Sequence, residues 1–266
     1  CDLITLDEVS FVSVPLTIRT ETQEFRDDAS LDVETMVDTL RSTKGRSYSA
    51  CPSVADWERA FGEDDDVLAF TITSGLSGSF RAACAAKLNC EENSPSRRIC
   101  IIDSLSTGPE IVLFIEKAVS ELSAGADFDA VCRSVQDYQR RTHLIFALES
   151  LHNLAQNGRV GKLAAAAAGM LGIRAVGTTS DEGTLDLLGK CRGRKRAVDF
   201  LQEEMERLGY TGGCVRIGHC RNTDSAGELR TAILHRFPGA NIRIYPLRGL
   251  CSYYAECGGV LVGFEA

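Results

Sequence analysis

The chain has 266 residues, 44% of them hydrophobic and 25% charged, so it is long enough to bury a large core and to enclose a cavity within it. A formal net charge of -8 argues against nucleic acid or an anionic membrane surface as a general partner, and any anionic ligand must be caught locally. The 11 cysteines are odd in number, scattered through apolar segments and without a CxxC pair, which excludes a disulfide scaffold and points to free thiols in a reducing compartment. Cys214, His219 and Cys220 lack a second ligand pair at metal spacing, so no structural metal is expected. With no apolar run of about 20 residues and no basic-then-apolar N-terminus, the expectation is a cytoplasmic protein without a membrane span or signal peptide.

Strands alternate with helices, which predicts an α/β architecture with largely parallel pairing. Val12 to Ile18 reads as the first clear strand. A helix follows, with Ser30 as N-cap and Val33, Met36, Val37 and Leu40 along one face. Lys44 to Pro52 reads as a loop. Ser53 and Asp56 form a capping-box pattern for a helix carrying Val54, Trp57 and Phe61 and ending at Gly62. An acidic turn, Glu63 to Asp66, leads to a strand over Val67 to Thr73, a Ser/Gly turn and a helix from Gly78 to Leu88. After a strand at Ile99 to Asp103, helices are expected over Glu110 to Leu122 and Phe128 to Arg140, and a boundary near Arg141 divides the chain into 1–142 and 143–266.

The second half opens with a strand at Leu144 to Leu148, a short helix capped by Ser150 and stopped by Gly158, and an alanine-rich helix from Leu163 to Leu171. Strands at Ala175 to Thr179 and Leu185 to Cys191 flank Asp181-Glu182-Gly183, a hairpin signal. The helix Arg194 to Leu208, strand Cys214 to His219, helix Ala226 to His235 and strands Ile242 to Leu247 and Val260 to Glu265 complete the order.

Chemistry gathers at Ser74-Gly75-Leu76-Ser77-Gly78-Ser79. A turn between a buried strand and a helix leaves backbone N–H groups converging on one spot, where they and the helix dipole favour an anion. The plain alternative is a helix cap by Ser77. A phosphate-cradling loop requires a lysine after Gly78, which is absent. A serine hydrolase with Ser77 as nucleophile is the stronger rival, because the segment differs from Gly-x-Ser-x-Gly at one position, but His143, His152, His219 and His235 stand in no recognisable triad context. The basic run Arg192 to Arg196 reads as the solvated start of a helix. The loop Ser47 to Ser53 offers more hydroxyls, and with Ser77 it would suit a carboxylate site if the fold brings the two together.

Leu76-Ser77-Gly78-Ser79 after a strand, the Ser49 to Ser53 loop and Asn157-Gly158-Arg159-Val160 together resemble the DegV family over nearly the whole chain. Cys1-Asp2-Leu3 is similar to the tail of that family's N-terminal motif, on which reading its first strand is missing ahead of Cys1. The resemblance implies a single two-lobed α/β unit, with a mostly parallel sheet in the N-terminal lobe, a mixed sheet in the C-terminal lobe and a long-chain fatty acid between them. Hydroxyls of Ser49 and Ser77, with Ser74 and Gly78 of the same turn, would hold the carboxylate; Arg159 would face a partner fatty acid kinase, its plain alternative being a cation near a helix end. The kinase would supply ATP and metal, leaving this chain a carrier with no cofactor, no catalytic residue and no metal. The chain departs from the family at Glu256, which stands where a histidine would face the ligand head. Since two close carboxylates cannot both ionise cheaply, either Glu256 points elsewhere, or one of the pair is protonated, or the ligand differs.

Overall fold

Thr17–Arg19 (β1) and Glu24–Arg26 (β2) form a hairpin, and Tyr48–Ala50 (β3) adds to the other side of β1, giving a three-stranded antiparallel sheet. These elements belong to a computed structural model that describes residues 9–43, 45–63, 66–163 and 172–266. The Cys1-Asp2-Leu3 motif, the middle of the acidic turn and the alanine run beyond Leu163 lie outside the described residues. The expected strand over Val12 to Ile18 is confined to Thr17 onwards. Pro15 offers no N–H to a ladder, and the residues before it do not pair as a strand.

Helix α1 (Val33–Ser42) is capped by Asp32, whose side chain accepts the Thr35 N–H at 3.1 Å; Ser30, the expected cap, is held instead by Asp28. Helix α2 (Val54–Phe61) begins with the expected capping box of Ser53 and Asp56 and turns Trp57 and Phe61 inward. Ser53→Ala should lower stability by about 1 kcal/mol in a chemical denaturation experiment, with the slope unchanged.

Strands β4 (Asp66–Thr71) and β5 (Arg98–Asp103) pair in parallel across helix α3 (Ser79–Asn93). They are the parallel part of the N-terminal half, which is otherwise antiparallel, because strands as short as β1 and β2 are joined by a tight turn at Thr20 to Gln23 rather than by a crossover helix. Helices α4 (Pro109–Ser123) and α5 (Phe128–Gln139) follow.

Residues 142–265 supply a six-stranded mixed sheet. Its strands are β6 (Thr142–Leu148), β7 (Ile173–Thr179), β8 (Leu185–Arg192), β9 (Cys214–His219), β10 (Asn241–Pro246) and β11 (Val260–Glu265), in the order β10-β9-β11-β6-β7-β8. Only β9 and β10 pair in parallel. Alternation along β6 divides its side chains: Ile145 and Ala147 pack in one cluster with helices α7 (Arg194–Arg207) and α8 (Thr223–Arg236), while Leu144, Phe146 and Leu148 face the other way. That second cluster also contains Ile18, Met36 and Val37, so the two halves of the chain share a core.

Where α4 crosses β11 the approach is close: a Cβ on Gly263 would sit 2.5 Å from the Glu110 nitrogen. Glu110, at the start of α4, is buried between the halves and accepts from Ser106 Oγ at 2.5 Å and Thr142 Oγ1 at 2.6 Å. Burial, only partly offset by these two hydroxyls, pushes its carboxyl up to about 7. Between the ordinary carboxyl value and that one, the folded chain binds a proton that the unfolded chain does not, so stability should fall as pH rises through this window, by about 1.4 kcal/mol per unit at the steepest. Glu110→Gln should flatten the decline in a series of denaturation curves between pH 5 and 8.

Candidate functional site

A cavity of about 320 Å³ lies between the serine turn that follows β4, strand β3, the face of β6, and helices α6 (His152–Gln156) and α9 (Gly249–Ala255). Leu76, Leu144, Phe146, Leu148, Leu154 and Leu261 make most of it apolar. Ser49, Thr73, Ser77, Thr107, Tyr254 and Arg159 contribute its polar groups, and none of the described lining residues is a His, Asp or Glu.

The register of β3 turns Ser49 inward. Ser49 sits directly opposite Ile18 of β1, which is fully buried, and directly opposed residues share a face. Tyr48, next to it, is exposed. A slip of one residue would reverse them. The Ser49 hydroxyl lies 2.7 Å from the Tyr254 hydroxyl.

The serine turn differs from the expectation of free converging donors. Ser74 N–H donates to Asp103 Oδ1, Gly75 N–H to Thr73 Oγ1, and the N–H groups of Leu76 and Ser77 to the Thr73 carbonyl. The turn thus uses the N–H groups of residues 74 to 77 for its own shape, and Ser77 brings a side-chain hydroxyl to the cavity. Ser77 Oγ accepts the Ser79 N–H at 3.2 Å, which leaves its hydrogen to donate; Gly78, ahead of α3, also lines the cavity. Ser74 does not line it.

Arg159 reaches across to this turn. Its Nε donates to the Leu76 carbonyl and its Nη1 to the Asn157 carbonyl, both at 2.9 Å, and its guanidinium lies 5.9 Å from the Tyr254 ring centre. A fixed cation therefore stands beside the hydroxyls. The tip of the β7–β8 hairpin closes the same turn from another side, with Thr73 Oγ1 donating to the Gly183 carbonyl at 2.8 Å.

The structure does not bring Glu256 to the cavity. Glu256 ends α9 with a φ of 53°, which turns its side chain away to accept the Asn153 N–H at 3.0 Å. It faces a separate polar pocket with Arg41, Ser47, His152 and Ser252. Of the three alternatives the sequence left open, this geometry corresponds to the first.

Sequence reasoning missed Tyr254, Thr107 and Cys51 as lining residues. Leu250, Cys251, Tyr254 and Ala255 form one helical stripe and all four line the cavity, but their mixed aliphatic, thiol and phenol side chains give no clear apolar period. A larger groove of about 720 Å³ borders β4 and shares Leu16, Ile72, Leu250 and Cys251 with the cavity, but Ser49, Ser77 and Arg159 do not line it.

Fold and site thus define an α/β protein with an apolar chamber whose polar groups are hydroxyls and one arginine. The chain belongs to the DegV family: the family's model, which carries the description uncharacterised protein, matches residues 4–265. A DegV domain-containing protein of Streptococcus pneumoniae is 43% identical over 96% of this chain and 91% of its own length. Among solved structures, a DegV family protein from Eubacterium eligens loaded with heptadecanoic acid is similar at a TM-score of 0.96 and 42% identity, covering 100% of this chain and 96% of that one. The Streptococcus pneumoniae Fatty Acid Kinase (Fak) B3 protein loaded with linoleic acid is similar at a TM-score of 0.95 and 43% identity, covering 99% of this chain and 94% of that one.

Among the described residues no group of His, Cys, Asp or Glu side chains gathers as a metal site, the cysteines are free, and no helix is long and apolar enough to cross a membrane.

Proposed function

We propose that this chain binds a long-chain fatty acid in the cavity, with its carboxylate on the hydroxyls of Ser49 and Ser77, and presents it to a fatty acid kinase. The observation that carries the reading is the pairing of those two hydroxyls with Arg159 in a chamber whose remaining lining is mostly apolar. A buried carboxylate is costly unless several donors meet it, and bonds to a charged acceptor are the stronger kind. Each methylene buried contributes about 0.8 kcal/mol, so the tail supplies most of the affinity while the head group sets orientation. Gly78 lines the head end; Ser74 supports the turn from outside through its bond to Asp103.

On this reading residues 1–142 and 143–266 act as two lobes of one unit, and the chain works in the cytoplasm, where its free thiols suit a reducing environment. It is a carrier and not a catalyst. The hydrolase alternative lacks a base, since no described histidine or carboxylate lines the cavity beside Ser77. Arg159, part of the cavity wall, is then the group a kinase would meet near the carboxylate. With ATP and a fatty acid kinase, the loaded chain should yield acyl phosphate and the empty chain none; release of alcohol from an activated acyl ester by this chain alone, with covalent labelling at Ser77, would favour the hydrolase.

A further inference from the structure

We infer that Tyr254 belongs to the head site as a positioning residue, acting through Ser49: the phenol O–H donates to Ser49 Oγ, and Ser49 in turn donates its hydrogen to the ligand carboxylate. The inference rests on the fatty-acid reading above and adds a residue that the family's serine motifs do not contain.

The direction of the pair follows from donor and acceptor counting. Ser49 and Tyr254 lie 2.7 Å apart, and without a ligand either hydroxyl serves as donor. An ionised carboxylate has no hydrogen to give, so a serine that binds it must donate. Only Tyr254 then remains to donate within the pair. Two bonds running in one direction polarise each other, which makes Ser49 a better donor than an isolated serine.

The surroundings hold the phenol in that role. Its ring packs edge-on against Tyr253 at 4.8 Å, and the Tyr253 hydroxyl is itself fixed by Ser47 at 2.9 Å and by the Asn157 amide at 2.8 Å. Two serine–tyrosine contacts therefore fasten β3 and the residue before it to α9, and of the two tyrosines only Tyr254 stands in the cavity wall. The titratable or charged groups among the described lining are Arg159, Tyr254, Cys51 and Cys251, so no anion there competes for the phenol hydrogen. Burial raises the Tyr254 pKa, which keeps the phenol protonated at neutral pH.

The test is the titration of bound [1-13C]oleic acid followed by carboxyl 13C NMR in the wild type, Tyr254→Phe and Tyr253→Phe. The relay predicts a carboxyl pKa at least one unit higher in Tyr254→Phe with roughly tenfold weaker oleate binding, and a clearly smaller change of both in Tyr253→Phe, which loses only the bracing of the Tyr254 ring. A double-variant comparison separates the relay from mere support of the wall: Tyr254→Phe should cost about tenfold in the wild-type background and almost nothing once Ser49→Ala is present. Equal titration curves in the wild type and Tyr254→Phe, or an equal loss in both backgrounds, would overturn the relay and leave the fatty-acid reading intact. A wild-type chain that takes up no oleate would overturn both.

Discussion

Replacing Ser49 and Ser77 together by alanine should leave the chain folded and unable to retain a fatty acid. Hydrogen bonds to a charged acceptor contribute about 1.5–3 kcal/mol each, so losing both weakens binding by roughly a hundredfold or more. The fold does not depend on them to the same extent. Neither residue is fully buried, and the described partners are one hydroxyl for Ser49 and one helix-start N–H for Ser77, worth about 1 kcal/mol apiece. Equilibrium dialysis with labelled oleate against thermal unfolding of the same samples separates the two effects. Retained binding in a folded double variant would remove the hydroxyls from the account.

Gly183→Ala should be the most damaging single substitution at the site, although Gly183 does not line the cavity. It holds a φ of +72° at the tip of the β7–β8 hairpin, and a Cβ there would lie 2.0 Å from Thr73 Oγ1. Left-handed strain in a non-glycine residue and overpacking each cost about 1–3 kcal/mol, so the combined loss should be roughly 2–6 kcal/mol. The chain has one way to lower that cost, which is to part the hairpin from the turn, breaking the Thr73–Gly183 hydrogen bond. That turn carries Ser77. Stability and oleate binding should therefore fall together, whereas an alanine at Gly239, where a Cβ meets nothing within 4 Å, should affect neither.

The elements with strong local signals were legible in the sequence. The capping box of Ser53 and Asp56, the strand Cys214–His219 and the terminal strand Val260–Glu265 match the structure because a cap or a short, mostly apolar run between turn residues marks them. Two elements that build the head site were not. Strand β3 has three residues, Tyr48-Ser49-Ala50, inside a Gly/Ser-rich stretch, and it exists because β1 offers an edge rather than through any preference of its own. Helix α9 opens on Gly249, and its cavity stripe is split between aliphatic, thiol and phenol side chains that do not read as one apolar face.

The two serine loops were expected to meet because a resemblance in motif carries position along the chain, and Ser49 and Ser77 do line one cavity. Such a resemblance does not carry direction. Glu256 occupies the expected place in order, but the positive φ at the end of α9 sends its carboxylate to Asn153. The N–H groups of residues 74 to 77 do not converge on a ligand: Thr73 takes up three of them in bonds within the turn, and Asp103 takes the fourth from a distant part of the chain.

The most direct test of the central claim is to denature the purified protein and measure the released lipid by mass spectrometry, with an empty sample first incubated with oleate. The account predicts one long-chain fatty acid per chain in the wild type and almost none in the Ser49→Ala, Ser77→Ala double variant. A wild-type chain that releases no fatty acid and takes up none from solution would contradict it.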